Sequence, residues 1–226
     1  MDIFSFSRMV EYFPKLIKCL PVTLYIILAA MLIGTLLGVI IALFRIYNVP
    51  LLNQLSAFYI SFIRGTPINI QLFIVYFGVP MLLSPVWPKI NRADPMLFVV
   101  ITYAINNSAF FAELIRAAVK GVDSGQIEAG YSIGMTKLQT FFRITVPQAF
   151  RIAIPDIGNT MINLLKNTAL AYTLGIIDLM GEVVVIGSTT RHTLEGYLDV
   201  ALIYIVLSAI LERIFLQIER KLNVRA

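Results

Sequence analysis

Residues 19–44 read CLPVTLYIILAAMLIGTLLGVIIALF, a run of 26 residues without a charged side chain. A helix that crosses the hydrocarbon core of a bilayer needs about 20 predominantly apolar residues, so this run predicts a membrane span. Charges close it on both sides, with Lys15 and Lys18 before it and Arg45 after it. Inside it, Gly34 and Gly38 have the G-x-x-x-G spacing that allows close approach of a second helix. Small residues are also simply common in such helices, so the spacing alone leaves a specific packing face open.

The same pattern repeats outward from this run. Only 14% of the 226 residues are charged, against about 25% in soluble domains, and the mean hydropathy is +0.83. Further spans are expected over 65–83, entered through Arg64 and the Thr66-Pro67 step, then over 95–112, 157–177 and 197–216. The segment 1–20 mixes Arg8, Glu11, Lys15 and Lys18 with Ile3, Phe4, Met9, Val10, Phe13 and Ile17 near helical spacing. It reads as an amphipathic helix at the membrane surface rather than a cleaved signal peptide. The expected fold is an all-α polytopic membrane protein, one domain over 1–226, with five transmembrane helices, this N-terminal amphipathic helix and a helical loop over 116–151.

Charge sets the orientation. The formal net charge is +5, and in a membrane chain positive residues report topology before they report nucleic acid. Arg116, Lys120, Lys137, Arg143 and Arg151 fall in the third-to-fourth connection, and Arg213, Arg220, Lys221 and Arg225 towards the tail. Only Lys89, Arg92 and Arg191 fall in the connections between spans two and three and spans four and five. The positive-inside bias places the long loop and the C-terminus in the cytoplasm and the N-terminus outside, although Arg8, Lys15 and Lys18 run against it.

That loop has its own design. Asp123 precedes Gln126 by three residues and Thr136 precedes Gln139 by three, both at the capping-box spacing. The loop therefore reads as two short capped helices broken near Gly134, a rigid projection suited to passing force to another protein. An ordinary connector is the plainer alternative.

These residues also carry a family resemblance. Glu128-Ala129-Gly130, then Gly134, then Ile144-Thr145-Val146-Pro147 resemble the EAA loop of ABC importer permeases: E-A-A, three residues, G, nine residues, I-x-L-P. Gly130 stands for the second Ala and Val146 for Leu. Arg64-Gly65-Thr66-Pro67, Gln71-Leu72-Phe73, Glu113-Leu114-Ile115-Arg116, Gly125-Gln126-Ile127-Glu128, Pro147-Gln148-Ala149, Gly158-Asn159 and Lys166-Asn167-Thr168-Ala169 resemble the branch of that family that imports polar amino acids. The resemblance implies a multi-pass subunit of a prokaryotic cytoplasmic (inner) membrane. Its loop, through Gln126, Glu128, Ala129, Gly130, Gly134 and Pro147, would dock on an ATPase. The implied partners are an ABC ATPase subunit dimer that binds ATP and Mg, a second copy or related permease, and an extracytoplasmic amino-acid-binding protein.

Polar residues within spans are the pathway candidates: Gln71, Asn106, Asn107, Lys166, Asn167 and Thr168. A lysine at the centre of a span costs about 2.5–3.5 kcal/mol on insertion scales, so Lys166 is expected to face the protein interior or a wet cavity. There it either binds a substrate carboxylate or forms a structural pair, for example with Glu113. Where the resembling family often reads Lys-Asp-Thr-Ser, this chain has Asn167 and Ala169. The missing carboxylate favours a neutral or zwitterionic amino acid such as cystine or glutamine. The uncharged candidates equally suit interhelical hydrogen bonds.

The chain has no G-x-x-x-x-G-K-[ST], one Cys, Cys19, and one His, His192. It therefore lacks a P-loop for ATP, an intrachain disulfide and a thiolate metal cluster. No catalytic residue, metal or bound cofactor is expected, and ATP hydrolysis falls to a separate subunit. The competing reading, an ion-coupled secondary amino acid transporter, calls for internal repeats and paired broken helices. The sequence shows one interrupted span and no convincing repeat.

Overall fold

A computed structural model describes residues 4–222, and among these every regular element is helical. The elements are α1 (Phe6–Ile46), α2 (Leu52–Gly65), α3 (Ile68–Phe73), α4 (Val79–Leu83), α5 (Pro95–Lys120), α6 (Ser124–Ser132), α7 (Lys137–Thr140), α8 (Val146–Thr168), α9 (Leu179–Thr190) and α10 (Leu194–Lys221). Three of them, α1, α5 and α10, are long and apolar enough to cross a membrane. Two bent pairs also qualify, Leu52–Gly65 with Ile68–Leu83 at 110° and Lys137–Leu174 with Leu179–Thr190 at 44°, so there are up to five spans.

The bends correct several expected boundaries. The span expected over 65–83 has a preceding arm, α2, and turns sharply at Thr66-Pro67. The Gln71 side chain holds this turn. Its Nε2 lies 2.7 Å from the Ile63 carbonyl and 3.0 Å from that of Thr66, so it serves carbonyls that the end of α2 leaves without helical partners. The span expected over 157–177 starts earlier, at Val146, and its α-helix ends at Thr168 before a 3₁₀ stretch, Ala169–Leu174. Two π-helical turns, Ile74–Gly78 and Phe141–Thr145, each end two residues before a proline, Pro80 and Pro147. A proline ring displaces the carbonyl four residues back and donates no hydrogen bond, and a widened turn accommodates both effects.

The expected surface helix is not a separate element. Residues Phe6–Ile46 form one helix of 41 residues, about 60 Å at 1.5 Å per residue and so about twice the hydrocarbon thickness. Tyr12 and Leu16 in its first half are buried against Leu179, Val183 and Ile186 of α9 and Val200 and Ile203 of α10. Arg8 ties the same region to buried Glu195 at 2.9 Å. Packing against α9 and α10 thus carries the helix through Pro14 and Pro21.

The glycine pair has a specific partner. A Cβ on Gly34 would lie 2.8 Å from the Ala104 carbonyl oxygen, and one on Gly38 would lie 2.7 Å from the Phe111 Cβ. The matching order along the two helices makes α1 and α5 parallel. Ser5 donates to Glu195 at 3.0 Å, so α1 and α10 start at the same end. Gly158 meets Phe215 and Thr168 meets Tyr204, so α8 runs antiparallel to α10. The start of α1 and the end of α10 therefore lie at opposite ends of the bundle. The 121–145 loop shares an end with the finish of α1, α5 and α10.

Candidate functional site: a polar cavity and a capped loop

Two features stand out, one within the helices and one at their loop end. The first is a cavity of ≈ 300 Å³ between α5 and α8, lined by Asn106, Asn107 and Phe110 on one side and Thr160, Asn163, Lys166 and Asn167 on the other. Lys166 is the only charged residue in the lining and makes no ion pair among the described residues. Glu113 is instead bound by Arg116 one turn along α5 and does not pair with Lys166. The lysine thus faces a cavity, as its insertion cost requires.

The remaining candidates divide between the lining and the scaffold. Asn106 lines the cavity and donates to Gln71 Oε1 at 3.0 Å, while Asn107 approaches the Met31 sulfur at 3.5 Å. The Asn167 carbonyl accepts from Tyr103 at 2.6 Å, which joins α5 to the end of α8. Gln71 is buried and occupied with the α2–α3 turn, outside the lining. Thr168 is also buried outside it, and its hydroxyl donates to the Leu165 carbonyl at 2.6 Å. As the neighbour of Asn167, Thr168 points about 100° further round the helix. Asn163, Thr160 and Phe110 are lining residues absent from the expected set. Asn163 was traceable, because it lies three residues before Lys166 and so on the same face. Asp156, Asn159, Asn163 and Lys166 form an exposed polar stripe along α8.

The second feature is the 121–145 loop, which is two short helices as expected. The Thr136–Gln139 capping box is complete, with Thr136 N–H donating to Gln139 Oε1 at 2.8 Å and Gln139 N–H to Thr136 Oγ1 at 3.3 Å. The Asp123 box is not. Its carboxylate accepts from Gly125 N–H at 2.6 Å, and Gln126 N–H goes to the Asp123 carbonyl at 3.2 Å. An N-cap side chain serves either of these positions, and Gly125 has no side chain to hold the carboxylate back. Gly134 has φ +82°. Its N–H reaches the Tyr131 carbonyl at 2.9 Å and that of Met135 reaches the Gly130 carbonyl at 3.1 Å, the Schellman pattern that closes a helix on a left-handed residue.

Within the loop, Gln126, Glu128 and Ala129 are exposed on α6. Gly130 is buried, and a Cβ there would meet the Ile144 Cδ1 at 2.8 Å and Thr140 at 3.3 Å. The glycine therefore seats α6 on the turn that leads into α8. Pro147 is exposed in the first turn of α8.

Comparison with known proteins matches residues 34–224 to the family described as the binding-protein-dependent transport system inner membrane component. The chain belongs to this family of ABC importer permeases. The permease is 42% identical to the L-cystine transport system permease protein TcyL of Bacillus subtilis (strain 168), over 97% of this chain and 92% of the relative. It is 39% identical to the probable amino-acid ABC transporter permease protein PatM of Vibrio harveyi, over 97% of each. Among solved structures it superposes on an amino acid ABC transporter crystallised with histidines, with TM-score 0.87, 34% identity and coverage of 96% of this chain and 99% of that one. A methionine ABC transporter, MetNI, shares the fold at TM-score 0.71 and 16% identity, over 88% and 92% of the two chains. The permease is thus an inner-membrane, amino-acid ABC importer subunit of a kind that is not itself an ATPase. A secondary transporter is not favoured.

Proposed function

We propose that this permease, paired with a second copy or a related permease, forms the pathway for a neutral or zwitterionic polar amino acid such as cystine or glutamine. The observation that carries the substrate class is the charge of the cavity, where Lys166 is the single ionic group among amides and a hydroxyl. An ammonium suits an α-carboxylate, and the amides of Asn106, Asn163 and Asn167 offer both donors and acceptors to the rest of an amino acid. The lining holds no carboxylate for a cationic side chain. The similarity to an L-cystine transport system permease protein supports this class.

In this reading the loop end is cytoplasmic, since Lys120, Lys137, Arg143, Arg151, Arg213, Arg220 and Lys221 gather towards it. The exposed face of α6, with Gln126, Glu128 and Ala129, docks on a separate ATPase dimer that binds ATP and Mg. The Gly134 turn and Gly130 contact keep that face rigid. An amino-acid-binding protein delivers substrate at the opposite end. The polar stripe of α8 meets the second permease, because polar groups facing lipid are costly. The deciding experiment measures ATP hydrolysis by the assembled complex with a panel of amino acids and their binding protein. Stimulation by neutral or zwitterionic members alone is expected; stimulation by lysine or arginine alone would overturn the substrate class.

A further inference from the structure

A groove beneath the loop takes no part in the transport reading. It is a cleft of ≈ 340 Å³ bounded by Ile46 and Tyr47 at the end of α1, Val119 in the last turn of α5, and Ile127, Lys137 and Phe141 of the loop. The rings of Tyr47 and Phe141 lie 5.8 Å apart. This volume falls within the range of small-molecule pockets, about 300–1,000 Å³. The walls are mainly aliphatic and aromatic, and Lys137 is the only charged lining residue. Lys137 makes no ion pair among the described residues. Arg45 and Lys120 adjoin the α1 and α5 wall residues in sequence.

Position decides the occupant. The groove opens where the charge-free run of α1 gives way to Arg45 and where α5 ends at Lys120, and basic residues closing apolar runs mark the depth at which acyl chains give way to headgroups and aromatic residues collect. An apolar cleft there is filled at little cost by a hydrocarbon chain already in the bilayer. A lone cation on its rim selects the headgroup by charge, as basic pockets beside spans do. We infer that the groove is a binding site for an anionic phospholipid, with an acyl chain against Ile46, Val119, Ile127 and Phe141 and the phosphate on Lys137. The lipid then bridges the span ends and the loop, while the exposed face of α6 stays free.

The test uses the single tryptophan, Trp87, which lies in the connection at the opposite end. Trp87→Phe with Tyr47→Trp moves the fluorophore to the groove wall; where that variant does not assemble, Phe141→Trp reads the same groove. The complete permease–ATPase complex is placed in nanodiscs holding equal fractions of brominated phosphatidylglycerol or brominated phosphatidylcholine. Quenching should favour the anionic lipid about fivefold, as expected for one lysine at an anionic surface. The preference should exceed that of Trp87 in the unmodified chain and vanish with Lys137→Gln. Equal quenching by both lipids overturns the headgroup assignment. Absence of quenching by either shows that the ATPase or a second permease fills the groove, which overturns the site.

Discussion

Gly134 offers a perturbation whose cost comes from the backbone alone. Its φ is +82° and a Cβ built on it meets nothing within 4 Å. Replacement therefore causes no collision and is opposed only by left-handed strain, about 1–2 kcal/mol for an L-residue. Gly134→Ala should lower the closed-to-open ratio of the loop by roughly 5- to 30-fold and weaken ATPase binding by up to that factor, because apparent affinity follows the fraction of loop that stays closed. Gly134→Asn should cost less, because asparagine tolerates this region, and Gly134→Val more, because branching at Cβ adds to the strain. Gly78 supplies the control. A Cβ there also meets nothing within 4 Å, yet its φ is negative, so Gly78→Ala should bind the ATPase as the parent does. The assay is titration of purified ATPase onto each permease variant, alongside uptake in proteoliposomes. If Ala and Val at 134 bind like Gly, the left-handed turn does not shape the docking face.

Lys166→Met should raise the substrate concentration for half-maximal ATPase stimulation by about 10- to 100-fold, the loss of one charge-assisted hydrogen bond, with assembly unchanged by size-exclusion chromatography; an unshifted curve would remove Lys166 from the site. Gly38→Leu should separate α1 from α5, since even its Cβ would stand 2.7 Å from the Phe111 Cβ and 3.0 Å from the Ser108 oxygen; loss of monodisperse protein in detergent is expected, and a normal melting curve would refute the packing. Gly130→Ala, which restores the alanine of the E-A-A pattern, should transport at close to the parent rate, because its tightest contact is the flexible tip of Ile144 at 2.8 Å; abolished uptake would show that the seat of α6 cannot yield.

What the sequence made legible was local. The charge-free run at 19–44, the start of α5 after Asp94 and the Thr136–Gln139 box each depend on neighbours within a few residues, and each appears in the structure. The placement of Lys166 followed from an energy that any fold must respect. Long-range features were hidden. The 110° turn at Thr66-Pro67 needs Gln71 to fold back onto Ile63 and Thr66, and a glutamine in an apolar run looks the same whether it lines a pathway or mends a helix end. Thr168 is polar and next to Asn167 in the chain, but helical geometry places on one face the residues three or four positions apart. The first half of α1 has the alternation of a surface helix, and only the partners for Tyr12 and Leu16 reveal it as packed.

The cavity and the capped loop share one rod. Helix α8 begins at Val146, directly after the turn leading from the loop, and carries Lys166 near its far end, about 30 Å away at 1.5 Å per residue. A displacement of the loop along that axis reaches the cavity without a flexible joint, except at Pro155, where the missing N–H weakens the ladder. The opposite wall moves with other elements. Asn106 on α5 is tied to Gln71 at the α2–α3 turn, and α5 is locked to α1 through Gly34 and Gly38. A tilt of α8 against this block would change the distance between Lys166 and Asn106. The Tyr103–Asn167 bond, at 2.6 Å, would limit that change where α8 ends. The arrangement thus predicts a cavity that opens at its loop side first, which in the proposed orientation is the side on which an importer releases its substrate.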